Sequence, residues 1–246
     1  VYRKAAAITD IARRMRERLI EKGVPPGKVH VIPNFVDLQR LAPVPRDNEF
    51  CRRHNLQHTF TVTYAGNMGP AQGLDIVIEA ARLLAAEDGN IRFLLIGEGI
   101  LREALTAAAA TLPLGNVTVM PYQPNALMPQ IYAVSDISLV PQAAATGSDA
   151  IPSKVYRIMA SGRPIIAITE SHSDLAALVN EVRCGVVVEP GDARGLAEVV
   201  RLAAANRAKW DAMGLRGRAH VSAHYSRQVV SAHYDTLIRA VSEGRT

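Results

Sequence analysis

The sequence predicts an α/β protein built on a doubly wound parallel sheet. Six short apolar runs, rich in β-branched residues, recur from residue 60 onward, and helical patterns lie between most of them. The runs occupy residues 60–65, 91–96, 117–120, 137–140, 164–168 and 186–188. Strands that alternate with helices in this way are typical of βα units and a parallel sheet, and six of them suit a Rossmann-like arrangement.

The residues before position 60 are predicted to form a small unit that flanks the main sheet. Asp10 suits an N-cap for a helix that Gly23 ends, and an apolar run at 29–32 follows. The helix carries apolar residues at a spacing of four, namely Ile11, Met15 and Leu19. Residues 41–58 are polar with two prolines, which predicts a linker or an irregular connection.

The chain after Gly191 is predicted to be helical to its end. The last helix carries an apolar stripe that consists of Val230, Tyr234, Leu237, Ile238 and Val241. Because these positions fall on one helical face, we expect the stripe to be buried against another part of the protein.

Composition excludes several classes of protein. Hydrophobic residues make up 48% and charged residues 21%, and no apolar run is long enough to span a membrane. The two cysteines are far apart, which argues against a disulfide framework or a zinc site and favours the cytoplasm. No metal site and no cofactor are expected. Residues 1–58 hold 12 lysines and arginines against 6 acidic residues, but no aromatic residues interleave with the basic run from Arg13 to Lys22, so nucleic acid is not an expected partner.

Four loops that follow predicted strands carry candidate ligand-binding residues, because ligands of such sheets bind at the carboxyl ends of the strands. Their backbones and side chains suit phosphates and a nucleobase, although tight turns and simple packing would also explain the first loop and the tyrosine. The candidates are Gly66, Asn67, Gly69, Gln72 and Gly73 in the first loop, Gly97 and Glu98 in the second, Tyr122 in the third, and Ser153, Lys154 and Arg157 in the fourth.

The fourth loop is the most informative. Pro152 suits a first helical turn and Gly162 a helix end, so Lys154 falls at a helix N-terminus, where the helix dipole disfavours a cation. A lysine in that position is more readily explained by an anionic ligand than by the helix. No serine-histidine-aspartate order, P-loop or HExxH motif accompanies it, which favours binding and positioning of a phosphorylated ligand.

Four segments together resemble glycosyltransferase family 4, in the branch that builds bacterial surface polysaccharides. They read YAGNMGPAQGLDIVIEA, FLLIGEGILREAL, MPYQPNALMPQIYAVSDISLVP and PSKVYRIMASGRPIIA, and the resemblance extends over residues 8–238. It implies the GT-B fold, in which two Rossmann-like domains face a cleft. Residues 1–40 would be the tail of the N-terminal acceptor domain and the crossing, 41–58 a linker, 59–206 the nucleotide-sugar-binding domain, and 207–246 helices that pack back toward the N-terminal domain.

The resemblance also implies an activity. The whole enzyme would be a retaining hexosyl- or N-acetylhexosaminyltransferase that uses a nucleotide-diphosphate sugar, most readily UDP-linked. Its acceptor would be lipid-linked or a saccharide, with the protein at the inner face of the membrane. Residues 1–246 alone would bind nucleotide without transferring sugar. A nucleotide-sugar 2-epimerase of the same fold and a non-catalytic regulatory module remain alternatives.

Residue by residue, the resemblance is incomplete. The family places two cations on the donor diphosphate where this chain has Asn67 and Gln72. It places two glutamates where this chain has Asp149, a candidate contact for the donor sugar, and Arg157. Because an arginine cannot accept hydrogen bonds from ribose hydroxyls, Arg157 is expected to face phosphate instead.

Overall fold

A small N-terminal unit precedes the main sheet in the computed structural model, which describes residues 2–85, 90–144 and 150–244. Strand β1 (Ile8–Asp10) pairs in parallel with β2 (Val29–Val31), and helix α1 (Arg13–Glu21) connects them. The expected helix and second strand are therefore present. Asp10 is not the N-cap, however, because it ends β1 and its carboxylate accepts a hydrogen bond from the amide of Ile11 at 2.8 Å.

The main sheet has six parallel strands, which confirms the predicted fold class. Their order is β5-β4-β3-β6-β7-β8. The strands are β3 (Phe60–Ala65), β4 (Ile91–Ile96), β5 (Val117–Met120), β6 (Ile137–Pro141), β7 (Ile165–Ile168) and β8 (Gly185–Val188). The chain runs outward in one direction from β3 and in the other from β6, so the two central strands form the topological switch point of a Rossmann-like sheet.

Helices cover both faces of this sheet. They are α2 (Glu49–Arg53), α3 (Asp75–Ala85), α4 (Arg102–Ala110), α5 (Met128–Val134), α6 (Lys154–Ala160), α7 (Asp174–Val182), α8 (Ala193–Ala205), α9 (Arg207–His224) and α10 (Arg227–Ser242). In β4, Phe93 and Leu95 pack into the core beneath α3, α4 and α8, whereas Leu94 and Ile96 pack into the core beneath α2, α5, α6 and α7. Strands buried on both sides read as continuous apolar runs, which is why these runs located them in the sequence.

The linker predicted over residues 41–58 is only partly irregular. It contains α2, which Asn48 caps by accepting a hydrogen bond from the amide of Cys51 at 2.9 Å. Phe50 and Cys51 are buried in the core beneath α5 and α6. The polar composition of this segment concealed two residues that anchor it to the main domain.

The apolar stripe of α10 is largely uncovered by the residues that the structure describes. Val230 is the buried member of the stripe, while Tyr234 and Ile238 are 39% and 61% exposed. Leu237 lines a cavity of about 610 Å³ that α10 forms with β2. Across the ranges that the structure describes, no helix combines the length and the hydropathy required to cross a membrane.

Candidate functional site

The candidate site lies at the carboxyl ends of β3 and β6. Because the chain leaves these neighbouring strands in opposite directions, the loops that follow them border a crevice. The two borders are joined where the amide of Ala143 donates to the carbonyl of Ala71 at 2.9 Å. Gly73, at φ +54°, packs beside Ala143 there.

Polar side chains of the first loop bind each other. The Gln72 Oε1 atom accepts from the amide of Gly69 at 3.0 Å and from Asn67 Nδ2 at 3.4 Å. The hydroxyl of the buried Tyr64 donates to the carbonyl of Asn67 from below. Asn67 and Gln72 therefore shape the loop, and neither supplies a charge for a ligand.

The second loop is bonded directly beneath the first. The amide of Met68 donates to the carbonyl of Glu98 at 2.7 Å, and the amide of Leu101 donates to the carbonyl of Met68 at 3.0 Å. A Cβ atom at Gly97 would overlap the carbonyl of Gly66, so this approach requires glycine. The Glu98 carboxylate is 3.3 Å from the Arg102 guanidinium on α4.

Lys154 places a positive charge in the crevice. A Cβ atom at Gly66 would lie 2.6 Å from the Lys154 Nζ atom, which shows how near the ammonium is to the first loop. Burial lowers the pKa of Lys154 to about 8. In the described ranges, no carboxylate lies within salt-bridge distance of this ammonium. A desolvated cation without a counter-ion is a favourable partner for an anionic ligand.

Arg157 lies one turn further along α6 and reaches a different loop. Its Nη2 atom donates to Asn125 Oδ1 at 3.3 Å, beyond the end of β5. Tyr122, in the same loop after β5, is 61% exposed. Burial raises the pKa of Tyr64, and the neighbouring phenol of Tyr122 shifts it in the same direction. Ser153 is exposed, and its side chain caps no amide of α6.

The structure thus brings most of the candidate residues to one edge of the sheet. The first, second and fourth loops converge around Lys154, and the loop after β5 extends this edge toward Arg157. Asp149 lies outside the described residues. Tyr64 and Asn125 were missed by the sequence reasoning, because Tyr64 reads as a core residue of a strand and Asn125 as an ordinary loop residue.

Metal-binding geometry is not found among the acidic, histidine and cysteine side chains that the structure describes. Within the described parts of the chain, no three histidine, cysteine, aspartate or glutamate side chains are grouped so that they could hold an ion. His220 and His224 stack on each other on α9, with ring centroids 4.4 Å apart.

Comparison with known proteins places this geometry in a family. Residues 59–206 match the model of the family described as "Glycosyl transferases group 1", and residues 1–40 match the model described as "Glycosyltransferase Family 4". The chain belongs to the group 1 glycosyl transferases.

Two curated relatives act in bacterial polysaccharide synthesis according to their names. The chain is 30% identical over 200 residues to the putative colanic acid biosynthesis glycosyl transferase WcaI of Escherichia coli K12, a match that covers 80% of this chain and 49% of the relative. It is 25% identical over 222 residues to the amylovoran biosynthesis glycosyltransferase AmsK of Erwinia amylovora, covering 89% and 52%. The chain therefore spans about half the length of the curated relatives it matches.

A solved structure supports the same fold. The crystal structure of HepE from Anabaena in complex with UDP matches with a TM-score of 0.86 at 17% identity, over 97% of this chain and 65% of that one. At this identity the likeness establishes the fold alone.

Proposed function

We propose that this chain binds the nucleotide diphosphate of a sugar donor for a glycosyltransferase that acts in polysaccharide synthesis. The observation that carries the proposal is the ammonium of Lys154 beside Gly66, at the switch point of the sheet, with no carboxylate at salt-bridge distance among the residues that the structure describes. With a pKa of about 8, Lys154 remains mostly protonated at neutral pH and can attract a diphosphate.

The remaining contacts follow the edge of the sheet. Backbone amides near Gly69 and Gly73 supplement Lys154 at the diphosphate, since Asn67 and Gln72 bring no charge. The nucleoside extends toward β5, where the exposed ring of Tyr122 offers a surface for a base. Gly97, Glu98 and Ser153 complete the proposed donor set, with Arg157 at the nucleoside end.

UDP is the nucleotide we propose first, because the HepE crystals contain it. Calorimetric titration with UDP and GDP tests this binding. We expect UDP to bind, and Lys154→Met to weaken it by about tenfold or more, because a charge-assisted contact is lost.

Lys209→Met is the matched control for this titration. Lys209 lies near the start of α9, beyond Arg207, which pairs with Asp136 at the amino end of β6, so its side chain is remote from the crevice. The proposal fails if neither nucleotide binds at millimolar concentration, or if the two lysine variants bind UDP equally well.

We further propose the division of the chain that the sequence predicts. Residues 1–40 belong with an acceptor-binding domain, 41–58 form the connection, 59–206 bind the donor, and 207–246 reach back to the acceptor side. The support is the uncovered stripe of α10, whose Leu237 already faces β2 across a cavity. The whole enzyme would transfer sugar with retention to a lipid-linked or saccharide acceptor, and this chain alone would only bind nucleotide.

A non-catalytic binding module is the second candidate. It is favoured by Asn67 and Gln72, which engage each other at positions that carry cations in the family. An assay of sugar transfer with the complete protein, radiolabelled UDP-sugars and membrane lipid extracts separates the two. Transfer supports the enzyme, whereas UDP binding without transfer supports the module.

We also propose peripheral association with the inner face of the membrane. The support is the excess of basic residues over 1–58 and helix α1, which has no buried residue. Co-sedimentation with vesicles that contain anionic lipid, compared with neutral vesicles, tests it. Equal recovery with both kinds of vesicle would contradict the proposal.

A further inference from the structure

A cavity of about 310 Å³ lies between the N-terminal unit and the main domain. The start of α1 and the end of β2 form one side of it, and residues of α6 and α7 form the other. Among the described residues of the proposed donor set, none lines this cavity. Its volume suits a small molecule. The polar side chains that line it are Arg13, Tyr156, Asp174, Glu181 and Tyr225.

Tyr156 directs a hydroxyl without a partner into this cavity. The residue is 2% exposed, and its ring packs on that of Tyr225 with the centroids 4.6 Å apart. Within residues 2–85, 90–144 and 150–244, no group shares a hydrogen bond with the hydroxyl. The oxygen is not sealed from solvent, so it opens into the cavity that Tyr156 lines. A hydroxyl buried to this degree needs a partner from outside the chain.

The charged side chains of the cavity give it an excess of negative charge. Asp174 and Glu181 both lie on α7, and Arg13 lies opposite them at the start of α1. Throughout the described ranges, neither Glu181 nor Arg13 has an oppositely charged group at salt-bridge distance. Two carboxylates therefore share one small cavity with a single cation that neutralises neither of them directly.

Asp174 has a structural role that uses only one of its oxygens. Its Oδ2 atom accepts from the amide of Arg14 at 3.0 Å, which caps α1 because Ala12 offers no capping side chain. The Oδ1 atom has no hydrogen-bond partner in the part of the chain that the structure describes. The cap explains why Asp174 is present, but it explains neither Glu181 nor the hydroxyl of Tyr156.

The titratable neighbours leave this charge in place. Burial lowers the pKa of His220 on α9, His224 adds to the shift and Glu181 opposes it, so His220 is neutral at pH 7. Burial raises the pKa values of Tyr156 and Tyr225, and the neighbouring carboxylates add to the shift. Both phenols are therefore protonated and uncharged, and their oxygens can accept a hydrogen bond.

We propose that this cavity binds a small organic ammonium ion. The ammonium donates to the Asp174 Oδ1 atom and to the hydroxyl oxygen of Tyr156, while Glu181 attracts it from the end of α7. The paired phenol rings stabilise the same positive charge. Apolar lining residues such as Ile11 and Pro33 contact the aliphatic part of the ligand. The site goes beyond donor binding and does not depend on it.

The test is titration of the chain with putrescine and with butanediol at constant ionic strength, followed by nuclear magnetic resonance. Butanediol has the same chain length without the charges, so we expect putrescine to bind and butanediol not to. Asp174→Asn should weaken putrescine by about tenfold, and its amide oxygen can still accept from Arg14 to cap α1. Glu181→Gln should weaken it several-fold.

Tyr156→Phe separates a ligand contact from a structural role. It should weaken putrescine several-fold, yet the free energy of unfolding of the ligand-free chain should not fall, because the hydroxyl has no partner to lose. A loss of stability in urea without a loss of putrescine binding would overturn the inference.

Arg13→Gln gives a test of opposite sign. Since it removes the cation that opposes the ligand, putrescine should bind several-fold more tightly, whereas an anionic or neutral ligand would lose a donor. Glu79→Gln is the matched control for Glu181→Gln, because Glu79 lies on α3 and pairs with Arg82 at 2.6 Å. It should bind putrescine as the parent does.

A comparison with Lys154→Met keeps this site apart from the donor site. That variant should lose UDP and keep putrescine, and Glu181→Gln should do the reverse. Equal binding of butanediol, weaker putrescine in Arg13→Gln or unchanged putrescine in Asp174→Asn overturns the inference. Failure of UDP alone counts only against the proposed donor site.

Discussion

The ammonium of Lys154 lies 4.1 Å from the centroid of the Tyr64 ring. The same tyrosine donates its hydroxyl hydrogen bond to the carbonyl of Asn67, so one buried side chain supports both the cation and the first loop. A phenol ring stabilises a positive charge without neutralising it. The geometry therefore keeps Lys154 in place while its charge stays available to a ligand.

The pH dependence of nucleotide binding follows from this arrangement. Since the pKa of Lys154 is lowered to about 8, the ammonium loses its proton as the pH rises past that value. We expect the affinity for UDP to fall between pH 7 and 9 in the parent chain, beyond any change in UDP itself, and to stay flat in Lys154→Met. Calorimetry at a series of pH values measures both, and parallel curves would contradict the prediction.

Stability should change with pH in the opposite direction. Between the folded pKa of about 8 and the usual lysine value of 10.5, the unfolded chain binds more protons at Lys154 than the folded chain does. The free energy of unfolding of the parent should therefore rise relative to Lys154→Met across this window. Urea titrations at pH 7.5 and 9.5 test this. Because the tyrosines titrate in both proteins, their contribution to the free energy of unfolding is removed when the two proteins are compared.

Asp136 is predicted to be essential for stability and irrelevant to the ligand. Its carboxylate is 12% exposed, pairs with Arg46 at 3.0 Å and Arg207 at 3.2 Å, and accepts from the amide of Thr61 at 2.7 Å. Asp136→Asn leaves two arginines without their counter-charge. We therefore expect the free energy of unfolding, measured in urea, to fall by about 2–4 kcal/mol. UDP affinity at moderate temperature should be unchanged.

Asp235→Asn provides the comparison for that measurement. Asp235 pairs with Arg239 on the exposed face of α10, with both side chains more than half exposed. Its replacement should cost no more than about 0.5 kcal/mol. If the free energy of unfolding fell equally in the two variants, burial of the ion pairs of Asp136 would contribute little to stability.

Gly97→Ala should damage the crevice without touching a ligand-binding side chain. The added methyl group would overlap the carbonyl of Gly66 and push the first and second loops apart. We expect UDP affinity to fall by about tenfold or more and stability by about 1–3 kcal/mol. Gly27→Ala is the control, because its Cβ atom meets nothing within 4 Å, and an equal effect of both changes would refute the close-approach argument.

The stripe on α10 gives a prediction about the chain as it stands. Val230 is 1% exposed, so Val230→Ala should lower the free energy of unfolding by roughly 2 kcal/mol through the cavity it leaves. Ile238→Ala, at a residue that is 61% exposed, should change it by less than about 0.5 kcal/mol. A large loss from Ile238→Ala would mean that α10 is covered in solution.

Sequence reasoning predicted the sheet well because buried parallel strands are apolar throughout and need no partner to be recognised. It failed at Asp10, where a carboxylate near a helix start ended a strand instead of capping the helix. It also failed at Phe50, which anchors a segment whose composition is polar. Both errors concern tertiary contacts, which local propensity does not contain.

The candidate site was predictable in outline for a related reason. Loops after strands of a parallel sheet converge by topology, so the glycines and Lys154 fall together once the fold is known. The roles of Asn67 and Gln72 were not predictable, since only the structure shows that they bind one another. Arg157 likewise required coordinates, because its contact, Asn125, is 32 positions away in the chain.

The bonding between the first two loops has a consequence for how such a protein can diverge. Main-chain hydrogen bonds between the first and second loops form the floor of the crevice. Glycine is required at position 97, because a Cβ atom there would overlap the carbonyl of Gly66. The side chain of Lys154 takes no part in these main-chain bonds, so its charge can change without altering them. We therefore expect that a cationic contact can move from one loop to another during divergence while the main-chain contact between Gly66 and Gly97 is retained.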